Sequence, residues 1–366
     1  MKILIVNPII YTSETRDIKK VDTIKDTMIY DLCLGFKSLG IDVTLAACED
    51  FRPAANEDYP FEIIWLKAKL KKLCPVNSLP FCPDIRRVIS QNKYDLIITS
   101  EIFSLNSLML VLKSRKNLIV WHELAKHNRI FKGIASRVWY GVIARMFFRK
   151  ALVVPRSAEA KAFISKYCKN VTDEIIDHGV NLEKFTPEEK KQKQFAVSSQ
   201  LISRKQIDKI ISAFCDFINT YDSEYKLCIM GDGDEKDNLI RQVQKLGISD
   251  SVIFTGKLNH AKLTQILKNS QAMLVYTQQD NNMVSIVESI AVGTPVVTTS
   301  VPYNASYIRN NMLGIVDDNW DKEALKQIIS TDLYIKNCFD YRQSLSTESK
   351  ADTFLKIYNH EKQRKR

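Results

Sequence analysis

The segment DNNMVSIVESIAVGTPVVTT, residues 280–299, holds two acids eight positions apart, Asp280 and Glu288, in a run that is otherwise almost entirely apolar. Met283 to Ala291 reads as a short buried helix stopped by Gly293 and Pro295, and Pro295 to Thr298 as a buried strand. A carboxylate inside such a helix is costly unless satisfied, so Glu288 either pairs within the protein or meets a ligand. The helix would start with unpaired N–H groups at Met283, Val284 and Ser285, a ready anion site. Asp280 is placed as a turn or N-cap acid before it, a role that can coexist with ligand contact. Three further stretches could carry chemistry. Lys205 falls in the first turn of an expected helix, and His122 ends the apolar run LIVWH, at the strand edge where sites form. Gly231 and Gly233 in MGDGDEK predict a tight strand-to-helix turn; without a third glycine this is a structural turn rather than a dinucleotide fingerprint.

Positioning these residues requires strands that alternate with helices, and the whole chain reads that way. Expected strands in the first half are 3–6, 42–46, 62–66, 95–99, 117–121, 151–155 and 174–177, with helices at about 23–39, 84–92, 104–114, 130–149 and 157–168. The second half restarts with strands at 194–199, 225–230, 251–256, 272–276, 295–299 and 313–317. Helices fall between them at roughly 205–221, 235–246, 260–269, 283–292, 303–309 and 321–329. The expected fold class is α/β, with two doubly wound parallel-sheet domains in tandem and ligands beyond the carboxyl ends of the strands. The polar segment Asn181 to Gln194, with Pro187 and a charge run, is the expected hinge.

At 366 residues the chain exceeds one usual core, and 45% hydrophobic content supplies two. The 8 cysteines are scattered, with no C-x-x-C pair, and read as reduced core residues. The apolar run after Met1-Lys2 ends at Val6, too short for a signal peptide or a span, so the cytoplasm is the expected compartment. A net charge of +11 favours an acidic partner. With no nucleic-acid module in sight, phosphorylated small molecules and anionic lipid come first, and nucleic acid is not expected.

Two basic stretches bear on lipid. In LKAKLKKL, Leu66, Leu70 and Leu73 would share a helical face with lysines on the rest. Segment 130–149 carries Phe131, Trp139, Tyr140, Phe147 and Phe148, with Arg137, Arg145 and Arg149 on one stripe at multiples of four. Such helices lie on anionic membranes; the alternatives are a solvated face for the first and a core helix for the second.

Five stretches in order resemble a known family. IIDHGVNLEKFTP (175–187) is similar to the "PNGVD..-F-P" signature of retaining family 4 glycosyltransferases, whose GT-B architecture sets two Rossmann-like domains face to face across a cleft. SSQLISRKQIDKIISAF looks like "GRL...KG.d.LI.AF", YKLCIMGDGDE like "L.IvGdG", and SVIFTGKL with the following helix like "V.F.G.v". The opening segment resembles "E-x7-E...A.GtPVV", with Asp280 in place of the first glutamate. The resemblance runs from about Asn117 to Asp318. It implies domains of about 1–185, rejoined by a C-terminal helix at about 347–366, and 186–346. It also implies that Glu288 accepts hydrogen bonds from the ribose of a nucleoside-diphosphate sugar, and a ribose diol does offer an acceptor-only carboxylate two donors.

By the same resemblance Asp280 touches sugar hydroxyls, Lys205 holds the diphosphate, the base lies near Leu258, and His122 is catalytic. No catalytic metal and no cofactor are implied beyond the donor, with UDP favoured. The acceptor would be a hydroxyl on a lipid-linked glycan, cell-surface polysaccharide or protein glycan, at the inner face of a bacterial membrane. Two departures stand out. Gln200 occupies the place of the family's arginine, which leaves a missing cation unless Arg204 reaches in, and the first loop, Asn7 to Thr15, contains no glycine. Both favour a rival reading as a non-catalytic accessory subunit; the retained Asp280, Lys205 and Glu288 oppose it. A sugar-nucleotide epimerase is a further alternative. A glycoside hydrolase would also use paired carboxylates, but not with a nucleotide-type fold.

Overall fold

The computed structural model describes residues 1–11, 18–128, 133–280 and 282–364. The chain forms two compact units, one from Met1–Gly179 with the chain beyond Ser346, the other from Val180–Ser346.

The first unit contains β1 (Lys2–Val6), α1 (Met28–Ser38), β2 (Asp42–Cys48), β3 (Glu62–Leu66), α2 (Ile85–Gln91), β4 (Leu96–Ser100), α3 (Leu105–Ser114) and β5 (Leu118–His122). Next come α4 (Ile134–Val138, wound on as a π-helix over Trp139–Phe148), β6 (Leu152–Pro155) and α5 (Ala158–Ile164). Its six parallel strands run β3-β2-β1-β4-β5-β6. The inner strands ILIV and LIVW are apolar on both sides because helices cover both faces, and they are wholly buried. The chain returns as the helix Thr347–Arg364, which lays Phe354 against Phe36 and Trp121. Gly35 permits this crossing: a Cβ there would lie 2.4 Å from the carbonyl oxygen of Thr347.

Two expectations fail in this unit. Residues 174–177 are not a seventh strand. They form no strand of their own; the N–H of Ile176 donates to the carbonyl of Pro155 at the end of β6. Residues 67–73 form no helix. Lys69 bridges to Phe81, and Leu70 sits at a φ of 55°, so Leu66 is buried while Leu70 and Leu73 are exposed. In α4 it is the aromatic side that packs inward, with Tyr140 and Phe148 buried and Trp139 and Phe147 half-buried. Phe131 and part of the first loop, Thr12 to Thr15, lie outside the described residues.

The second unit contains β7 (Gln194–Ser198), α6 (Ile207–Thr220), β8 (Lys226–Met230), α7 (Lys236–Lys245), β9 (Val252–Gly256), α8 (His260–Asn269) and β10 (Ala272–Leu274). It continues through α9 (Val284–Ala291), β11 (Val296–Thr298), α10 (Asn304–Asn310), β12 (Gly314–Val316), α11 (Lys322–Ile329) and α12 (Leu333–Tyr341). Its parallel order is β12-β11-β10-β7-β8-β9. Both units are therefore α/β with doubly wound parallel sheets. The segment expected as a hinge is packed onto this unit: Phe185 is buried in its core, and Lys191 Nζ donates to the carbonyl of Lys268 and to Thr294 Oγ1.

Candidate functional site

In the second unit the sequence-predicted residues collect on the loops after β7 and β10 and on α9. Lys205 stands not in α6 but in the short turn before it, where Gln206 takes a left-handed φ of 43° and redirects the chain into the helix. The turn buries Lys205 to 8% exposure and sets its Nζ 2.7 Å from Asp280 Oδ2. Thr277 Oγ1 donates to that same oxygen at 2.7 Å, and Arg204 Nη1 lies 3.2 Å from Asp280 Oδ1. Burial lowers the Lys205 pKa, the contact with Asp280 opposes the shift, and nearby Arg204 adds to it. Arg204 thus reaches the cluster, as the loss of arginine at position 200 required, and Gln200 is exposed on the turn after β7.

Gly231 and Gly233 are structural. A Cβ on Gly231 would sit 1.8 Å from the carbonyl oxygen of Ser199, and one on Gly233 2.4 Å from that of Leu201. Only glycine lets the β8 loop lie backbone to backbone on the β7 loop.

Glu288 projects from α9 at 6% exposure. Its polar neighbour among the described residues is His260, whose Nδ1 lies 3.6 Å from Oε1, beyond hydrogen-bond range. Burial pushes the carboxyl up to about 7. Leu258, half-buried, lies on the same loop two residues before α8. The expected trio of free N–H groups is corrected to two: Asn304 Oδ1 accepts from the Met283 N–H at 2.7 Å, which leaves Val284 and Ser285 to open the helix. Asn281, beside Asp280, lies outside the described residues.

In the first unit His122 ends β5, wholly buried between the rings of Phe163 and Tyr140. Its Nδ1 lies 3.0 Å from Glu101 Oε2, an electrostatic contact off the line of a hydrogen bond, and its Nε2 is unpartnered among the described residues. Glu101 holds a left-handed φ of 63°, and its other oxygen accepts from the Glu123 N–H at 2.6 Å. Such strain in a non-glycine residue persists only where surrounding contacts fix it. Arg156, stacked on Trp121, donates to Glu123 Oε2 at 2.8 Å and holds that carboxyl below its usual range. His178, buried beside the same guanidinium, has its pKa lowered to about 4, so its ring is neutral. A cavity of 370 Å³ opens beyond β1, β4 and β5, walled by Pro8, Leu79, Phe103 and Leu124, with Glu101 and Glu123 on its lining.

Sequence reasoning missed Glu101, Thr277, His260 and Asn304. Glu101 follows an apolar strand as His122 does, and that signal could have found it. The other three are ordinary polar residues whose roles arise from contacts 3 to 28 positions away.

Residues 181–350 match the family described as Glycosyl transferases group 1, and residues 26–184 match Glycosyltransferase Family 4. An alpha-monoglucosyldiacylglycerol synthase of Streptococcus pneumoniae is 26% identical over 253 residues, 62% of this chain and 56% of that protein. The chain therefore spans little more than half the length of that relative. Among solved structures, Anabaena Alr3699/HepE, crystallised with UDP and glucose, superposes with a TM-score of 0.64 at 14% identity, covering 98% of this chain and 100% of that one. A glycosyltransferase from Rickettsia africae superposes with a TM-score of 0.66 at 15% identity, covering 98% of each chain. At such identity the two structures speak for the fold alone.

Proposed function

Because the chain belongs to the group 1, family 4 glycosyltransferases, we propose that it is a retaining transferase that moves a sugar from a nucleoside diphosphate, UDP in preference to GDP, to an acceptor hydroxyl. The observation that carries the reading is Glu288, an acid buried in an apolar helix whose ionisable neighbour, His260 Nδ1, stands 3.6 Å from Oε1, outside hydrogen-bond range. A ribose diol would satisfy it with two donated hydrogen bonds. The N–H groups of Val284 and Ser285, on the same helix, suit the diphosphate. Lys205 is the cation for the leaving group, and Asp280, held by Lys205, Arg204 and Thr277, is aimed at sugar hydroxyls.

In the reaction the bond between the anomeric carbon and the diphosphate oxygen breaks. The acceptor oxygen bonds to that carbon on the same face, and its proton passes to the departing phosphate oxygen. Charge growing on that oxygen is what Lys205 and the α9 amides stabilise. His122 and the adjoining cavity of the first unit belong to the acceptor side. The apolar walls of that cavity favour a hydroxyl on a lipid-linked glycan over a free sugar in water. Relatives act in glycolipid and peptide glycosylation, an alpha-monoglucosyldiacylglycerol synthase and an N-acetylglucosaminyltransferase subunit among them.

Calorimetric titration with UDP, GDP and ADP tests the donor side, with Glu288→Ala as control. Selective binding of UDP that vanishes in the variant supports the reading. A folded protein that binds none of the three is instead an accessory subunit.

A further inference from the structure

The chain between β10 and α9 carries Asp280 and is held from two sides. On one side Lys205, Arg204 and Thr277 meet the Asp280 carboxylate, and the Gln278 N–H donates to the carbonyl of Arg204. On the other stands Asn304, wholly buried at the start of α10. One obligate donor fixes how its amide is turned. The Met283 N–H can only donate, so the atom it meets at 2.7 Å is Asn304 Oδ1. Asn304 Nδ2 then faces Asn282 at 2.7 Å, and Asn282 must present its own Oδ1 to it. Asn282 Nδ2 is left buried, with no hydrogen-bond partner among the described residues.

Such a pair is a poor device for stability alone. A buried donor without a partner is costly, and a buried polar pair is often matched or bettered by apolar side chains of similar size. Nor does Asn304 depend on Asn282: its Nδ2 carries two hydrogens, and Tyr307 Oη at 2.7 Å and the Met283 carbonyl at 3.3 Å are also in reach. Asn282→Leu therefore deletes an unpaired donor and creates no new one. A residue that breaks a local rule without benefit to the fold points to the site beside it.

That site is close: Asn282 stands two positions from Asp280 and two from Val284. We infer that Asn282 is a positioning residue for the transferred sugar. By receiving the Asn304 amide it fixes the path of the chain from Asp280 into α9, and with it the aim of the Asp280 carboxylate at the sugar hydroxyls. Glu288 and the N–H groups of Val284 and Ser285 belong to α9, which its own backbone bonds hold, so the UDP portion is independent of Asn282. This role rests on the transferase reading and assigns one residue to the choice of sugar within it.

The test is calorimetric titration of the full chain with UDP, UDP-glucose, UDP-galactose and UDP-N-acetylglucosamine, alongside thermal melts, for the native protein, Asn282→Leu and Asn282→Asp. The native chain should separate the three sugars by roughly tenfold in affinity, the scale on which a displaced positioning group is felt. Asn282→Leu should melt at or above the native temperature, bind UDP as the native chain does, and bind the three UDP-sugars alike. Asn282→Asp keeps an oxygen for the Asn304 amide and should retain more of the selectivity than the leucine variant. The role is overturned if Asn282→Leu lowers the melting temperature, since the pair then serves the fold. It is overturned as well if that variant keeps the native selectivity, or if it loses UDP and UDP-sugars in step. An aspartate variant no better than the leucine one also overturns it, because the amide's donors and not its oxygen are then what matters. A native chain that binds UDP but treats the three sugars alike has the same consequence. A native chain that binds no UDP sinks the donor reading instead, and the melting temperatures still decide whether Asn282 serves the fold.

Discussion

Lys205 Nζ lies 2.7 Å from Asp280 Oδ2, so the cation expected on the leaving group and the acid expected on the sugar form one ion pair. Lys205→Met leaves Asp280 with Arg204 and Thr277 alone, and the lost charged hydrogen bond should cost about 1.5–3 kcal/mol in urea unfolding. Donor binding should weaken as well. A variant as stable as the native chain would show that the pair contributes nothing to the fold.

Glu288 gives the site a pH dependence. Its carboxyl is raised by burial to about 7 in the fold and takes the ordinary glutamate value once unfolded. The stabilisation from keeping it protonated is therefore full at acid pH and is lost as pH climbs from the glutamate range through 7, at up to about 1.4 kcal/mol per pH unit. Glu288→Gln should flatten that slope in ligand-free protein. Nucleotide affinity, which draws on the carboxylate, should rise over the same window in the native chain.

On the proposed reading Glu101 positions His122, its Oε2 3.0 Å from Nδ1. Glu101→Gln keeps the shape and removes the charge facing His122 Nδ1, so kcat should fall roughly tenfold or more and its pH profile move, with UDP affinity unchanged by calorimetry. Loss of UDP affinity or of the fold in step with kcat would make the contact merely structural.

Gly231 and Gln206 test backbone strain with opposite signs. Gly231→Ala forces a Cβ into the Ser199 carbonyl and should destabilise by about 2 kcal/mol or more. Gln206→Gly relieves a left-handed φ in a non-glycine residue and should be neutral or stabilise by up to about 1 kcal/mol. Thermal melts of the two variants decide both.

Asn304 holds the α9 N-terminus through the Met283 N–H. Asn304→Ala buries an unpaired donor and should cost about 1–3 kcal/mol. If UDP affinity rises in the same variant, the freed N–H has joined the anion site.

What the sequence determined by itself was whatever depends on local pattern. Apolar runs of strand length, amphipathic runs of helix length and the glycines between them predicted all six strands of the second unit, because a parallel strand buried on both faces is apolar throughout. Glu288 stood out for the same reason, as a charge in an apolar run. Where the local pattern was ambiguous, tertiary structure decided. Residues 174–177 have strand composition, but they meet β6 only at its last residue, where the Ile176 N–H donates to the carbonyl of Pro155, so no ladder forms. LKAKLKKL has helical spacing, yet Lys69 pairs with Phe81 and the leucines part company. The side of α4 that meets solvent depends on its π winding and on Tyr140 finding a place beside Phe163, neither of which is visible in composition. Lys205 and Asp280 meet across 75 residues, and Glu101 meets His122 across a strand pair. Such contacts exist only once the sheet order has brought the loops to a common edge, and no spacing along the chain encodes them.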